Sequence, residues 1–95
     1  MTCEEAAQLI EAEGRLGRGQ FFDPMTGNRC AIAVVANLKP PRWGTWSSGW
    51  PRKLRAAKVD GITRGTTSPA NDAFEGTPEE RCVYMAAWFR AGGKA

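Results

Sequence analysis

The chain carries one helix-start signature at each end, and that pair leaves few folds open. Thr2-Cys3-Glu4-Glu5 and Thr77-Pro78-Glu79-Glu80 both read Thr-x-x-Glu. This is the capping box, in which the threonine hydroxyl accepts an orphan backbone N–H and the glutamate reaches back to the threonine's own amide. Behind the first box, Cys3, Ala6, Ala7 and Ile10 recur at helical spacing, Leu9 widens the stripe and Gly14 offers a left-handed stop. A helix is predicted from Cys3 to Glu13. Behind the second, Pro78 pre-sets the first turn, Cys82, Met85, Ala86 and Phe89 form the stripe with Val83 and Ala87 beside them, and Gly92-Gly93 follow. A helix is predicted from Pro78 to Ala91. Tyr84 and Trp88, four residues apart, should pair on its flank under the tryptophan-rich loop.

The sequence between the two helices is heavily punctuated. Asp23-Pro24-Met25-Thr26-Gly27-Asn28 separates Gln20-Phe21-Phe22 from Arg29-Cys30, and reads as the turn of a short hairpin. The apolar run from Ala31 to Leu38 suits a buried helix better than a strand, because its alanines are poor strand formers, and Lys39-Pro40-Pro41 should end it. Residues 40–52 have loop chemistry, Lys53 to Val59 allow two helical turns, Asp60-Gly61 turns the chain, and Thr66 to Asp72 reads as a polar connection. The expected fold is therefore α+β: a small, mostly helical domain with an N-terminal helix, a two-stranded hairpin, a short central helix, a long basic loop and a C-terminal helix.

Size and composition narrow the chemistry. The 95 residues form one domain with one modest core, since a chain this short buries only about 60 to 65% of its unfolded surface. The chain has no histidine, which removes Ser-His and Cys-His nucleophile pairs and imidazole zinc sites. Cys3, Cys30 and Cys82 include no Cys-x-x-Cys pair and read as buried thiols. Cys30 beside Arg29, at a predicted helix start, is the one candidate reactive thiol. Asn71-Asp72 reads either as an orienting pair or as an Asx turn. Gly14, Gly17 and Gly19 lack the Lys-Ser/Thr of a phosphate loop and form, with Arg15 and Arg18, a flexible basic patch. The last helix lacks the base-reading polar groups of a helix-turn-helix. The start is acidic and no apolar run approaches a membrane span, so a cytoplasmic protein is expected, with no membrane partner.

Charge is segregated. Residues 39–64 hold Lys39, Arg42, Arg52, Lys53, Arg55, Lys58 and Arg64 against Asp60 alone, a net +6, whereas the flanking stretches carry −2 and −1. Such asymmetry points to an acidic or polyanionic partner. Three of the four tryptophans, Trp43, Trp46 and Trp50, lie in the same segment. Trp and Arg dominate interface hot spots, and the same pairing stacks bases and neutralises phosphates of single-stranded nucleic acid. The alternative is that the indoles roof a small core with their N–H groups on carbonyls.

Asp23, Gly27, Cys30, Ala31, Asn71, Asp72, Thr77 and Glu80 together resemble an uncharacterised family of short bacterial and phage proteins. That family has an N-terminal helix, an Asp-x-x-x-Gly turn leading into Cys-Ala-x-Gly-Ala, and an Asn-Asp before a Thr-x-x-Glu-capped helix. The match spans about half the chain; Ala33 stands at the family's glycine, and Pro40 to Arg64 has no counterpart. The resemblance implies an architecture and a phage or mobile-element origin, and no mechanism. With the size and composition, it gives the leading expectation of a non-enzymatic inhibitor of a host nucleic-acid-handling complex, such as an anti-CRISPR protein, acting in the host cytoplasm without cofactor or metal. Its binding residues would be Arg42, Trp43, Trp46, Trp50, Arg52, Lys53, Arg55 and Lys58, meeting an acidic surface of a host protein or ribonucleoprotein complex. The other expectations are a single-stranded nucleic-acid-binding accessory protein and a compact enzyme using Cys30.

Overall fold

A computed structural model describes residues 1–39 and 49–94. Five helices follow one another: α1 (Cys3–Glu13), α2 (Ala31–Val35), α3 (Trp50–Ala56), α4 (Arg64–Ala73) and α5 (Pro78–Arg90). Both capping boxes form. Thr2 accepts from Glu5 N–H while Glu5 accepts from Thr2 N–H, and Thr77 and Glu80 repeat the exchange. Gly14 adopts φ 82° and donates its N–H to Ile10, the left-handed stop expected of it.

Helices α1 and α5 run antiparallel. Arg90 meets Glu4 at one end, Cys82 donates to the Ile10 carbonyl in the middle, and Arg15, just past α1, pairs with Glu79 at the other. Their facing stripes, with Leu16 and one side of α2, build the larger core around Ile10, Met85 and Phe89. A smaller core joins Ile32, Ala33, Ala36 and Leu38 to Trp50 and Leu54 of α3, with Phe21 and Phe22 packed against it. α2 lies between the two, so all five of its residues are buried. An element apolar all round is what such a position demands, which explains an apolar run without periodicity.

The expected end of α2 at Lys39-Pro40-Pro41 is also corrected. Asn37 takes φ 54°, its N–H bonds to the Val34 carbonyl and the Leu38 N–H to the Ala33 carbonyl, which closes the helix as a Schellman motif before the prolines are reached. α5 closes in the same way, through Gly92 on Phe89 and Gly93 on Trp88.

The α+β expectation fails because the hairpin does not form. Among the described residues there is no strand, only the isolated antiparallel bridges Phe22–Arg29 and Val59–Ile62. The turn itself is present: the Gly27 N–H bonds to the Asp23 carbonyl, and the Asp23 N–H to the Asn28 carbonyl. The ladder cannot lengthen, because Cys30 already caps α2 on one side and Gly19, at φ 85°, bends the chain away on the other. The second domain-level correction is α4, where a polar connection was expected. Thr63 caps it by accepting from Thr66 N–H, and its inward residues are Thr67 and Asn71, four apart. No membrane-length apolar helix exists among the described residues.

Candidate functional site

The basic segment is organised by α3. Trp50 and Leu54, one turn apart, point into the smaller core. Trp50 is 6% exposed; its ring meets Phe21 edge-on at 5.7 Å and Phe22 at 5.4 Å, and its Nε1 donates to the Lys39 carbonyl at 3.1 Å. Of the expected contact residues, Trp50 therefore serves the core, as in the alternative in which an indole N–H finds a carbonyl. Burying that edge of α3 turns Arg52, Lys53 and Arg55 outward, and Lys58 follows them on the surface. Lys53 donates to the Asn37 carbonyl at 3.2 Å. Arg42, Trp43 and Trp46 lie outside the described residues.

The ion pairs of the described residues leave the basic segment untouched. Among the described residues, Arg15 pairs with Glu79, Arg29 with Glu13, and Arg90 with both Glu4 and Glu11. None involves a cation of the 39–64 segment, so Arg52, Arg55, Lys58 and Arg64 face solvent without a carboxylate. A cleft of about 40 Å³ opens beside this face, lined by Leu54 of α3, Ala57 just past it, Val59 and Ile62 of the following turn, and Arg64 and Thr67 of α4. Thr67 Oγ1 is already committed to the Thr63 carbonyl at 2.8 Å.

The other candidates are structural. Burial pushes the Cys30 thiol above its ordinary range, with nearby Asp72 acting in the same direction, and burial likewise raises Cys82. A protonated, enclosed thiol is a poor nucleophile. Asn71 is 1% exposed: its Oδ1 accepts from Ala31 N–H at 3.2 Å and its Nδ2 donates to the Gly17 carbonyl at 3.0 Å and to Asp72 Oδ1 at 2.9 Å. Asp72 Oδ1 also accepts from Gly19 N–H. The pair thus orients backbone. Gly17 is not part of a flexible patch: a Cβ there would collide with the Asn28 carbonyl and sit 2.6 Å from Asp23 Cβ.

Two expectations on α5 change. Val83 is 72% exposed rather than on the apolar face, and Tyr84 stacks on Phe74 at 4.6 Å instead of pairing with Trp88, which meets Phe89 edge-on. Sequence reading also missed Arg81, 4% exposed, although Arg81, Met85 and Trp88 share helical spacing and all three are buried. No protein family, curated protein or solved structure matches the chain.

Proposed function

We propose that this chain is a non-enzymatic binding module that docks the basic face of α3 on an acidic surface of a protein or ribonucleoprotein complex. One observation carries the reading: Arg15, Arg29 and Arg90 are each paired with a glutamate within the chain, while Arg52, Arg55, Lys58 and Arg64 are exposed and form no ion pair among the described residues. Unspent charge of one sign steers a partner of the other. In its most concrete form, given by the resemblance to short bacterial and phage proteins, the module is an inhibitor that occludes a nucleic-acid-handling complex. Trp50 braces the face from beneath.

The test compares the chain with its Arg52→Glu/Arg55→Glu variant in capture from nuclease-treated cell extract. Loss of the captured protein with unchanged thermal unfolding supports the reading, and equal capture by both overturns it. If the chain instead binds a single-stranded oligonucleotide, with quenched tryptophan emission and an affinity that falls steeply with salt, while capturing no protein, the partner is nucleic acid.

A further inference from the structure

We infer that the cleft beside α3 is an anchor pocket for one aliphatic side chain of an acidic peptide segment in the partner; this rests on the docking reading above and specifies what docks. The interior is apolar where it matters. Leu54, Ala57, Val59 and Ile62 line it, and its buried hydroxyl, on Thr67, is spent on the Thr63 carbonyl. No unsatisfied buried side-chain polar atom remains among the described residues to hold a polar guest. Its size selects the guest. At about 40 Å³ it falls far short of the roughly 150 Å³ cavity that admits benzene, so the branched tip of a leucine or valine suits it better than an aromatic ring.

Charge selects what surrounds that tip. Arg64 itself lines the cleft, no carboxylate does among the described residues, and exposed Arg55 and Lys58 flank the lining residues Leu54 and Ala57 in the chain. Carboxylates on either side of the anchor would meet these cations, which have no acidic partner among the described residues. A central apolar anchor ringed by charged contacts is the usual division of labour in an interface.

The experiment titrates the whole chain, followed by amide and methyl NMR, with an acetylated peptide of eight glutamates around a central leucine. A matched peptide with central alanine and a short oligothymidylate serve as comparisons. Each further buried methylene strengthens binding about fourfold. The leucine peptide should therefore bind at least about fourfold more tightly than the alanine peptide, and should alone shift the methyls of Leu54, Ile62 and Thr67. Equal affinity for both peptides, with shifts confined to Arg52, Lys53 and Arg55, overturns the anchor pocket and leaves the basic docking face standing. Binding of neither peptide overturns both, as does tight binding of the oligothymidylate alone.

Discussion

Asn71 caps a helix to which it does not belong: from the C-terminal part of α4 its Oδ1 takes the N–H of Ala31, the first residue of α2. Cys30, at the N-cap itself, makes no side-chain capping bond, so the remote amide does what a local serine or aspartate normally would. Asn71→Ala strands the Ala31 N–H and the Gly17 carbonyl in a buried place, at a cost of about 2 to 4 kcal/mol. Asn71→Asp keeps the acceptor but sets a buried carboxylate oxygen against the Gly17 carbonyl and Asp72, so it should cost at least as much as the alanine change. Urea unfolding of the two variants against the parent checks the order; equal midpoints for all three would show that the cap contributes nothing.

That contact also shows where the sequence is opaque. Helices with a local signature were legible: Thr2 and Thr77 start α1 and α5, and Gly14 and Gly92 stop them, because caps depend on neighbours in the chain. α4 was hidden because its inward side is Thr67 and Asn71, polar residues whose reasons for burial lie more than thirty residues away on α2 and the Gly17 loop, or in the α4 cap itself. The hairpin misread has the same origin. Its turn chemistry at Asp23 and Gly27 is real, but whether strands extend from a turn depends on what the chain does next, and α2 begins at once. On the candidate face, charge segregation was visible in the sequence, while the division between buried Trp50 and outward Arg52, Lys53 and Arg55 required the packing of α3 on Phe21 and Phe22.

Trp50 and its basic neighbours should separate cleanly by mutation. Trp50→Ala removes an enclosed indole and its bond to Lys39, a loss of about 3 to 5 kcal/mol, enough to unfold a marginal domain. Arg55→Ala and Arg52→Ala touch exposed side chains and should leave stability within about 0.5 kcal/mol. Thermal unfolding of the three variants decides; a Trp50→Ala protein as stable as the parent would mean that the smaller core does not depend on this ring.

Acid should weaken the fold through Glu13. Its hydrogen bonds to the Arg29 guanidinium hold the carboxyl below the usual range, while Arg29 also reaches the Leu38 carbonyl. A carboxylate with a depressed folded pKa stabilises above its unfolded value, near 4.3, and that contribution disappears as pH falls through the folded value. Stability should decline as pH drops below about 4.3, and Glu13→Gln should make that decline shallower. Unfolding midpoints at a series of pH values give the slope directly, and parallel curves for parent and variant would remove Glu13 from the acid response.

The thiols respond at the other end of the scale. Burial raises Cys30 and Cys82, so both stay protonated in the fold while an unfolded chain would ionise them near 8.5. Stability from this source is complete below about 8.5 and diminishes as pH rises toward the folded values. Under native conditions Cys30 and Cys82 should react with iodoacetamide at least about a hundredfold more slowly than in urea, since access requires opening of the core, and half-buried Cys3 should label first. Mass spectrometry of partially labelled protein reads the order. Rapid labelling of Cys30 would reopen thiol chemistry for this chain.

Arg81 joins three segments with one side chain. Its Nε donates to the Asn71 carbonyl at 3.0 Å, Nη2 to Phe74 at 2.7 Å and Nη1 to Leu16 at 3.5 Å, while the guanidinium carbon lies 5.9 Å from the centre of the Phe74 ring. Among the described residues no carboxylate pairs with it, so this buried cation is solvated by carbonyls. Those carbonyls belong to α4, the link to α5 and the loop after α1, which makes the planar fork of donors the feature that matters. Arg81→Met fills much of the same space without donors and should cost about 2 to 4 kcal/mol by leaving enclosed carbonyls unpaired. Arg81→Lys keeps the charge but places its donors on a single nitrogen that cannot span the three carbonyls, so it should recover less than half of that loss. If charge alone held the cluster, the lysine variant would unfold with the parent; if only volume mattered, the methionine variant would. Urea midpoints with unchanged slopes distinguish these outcomes from the expected order of parent, lysine and methionine.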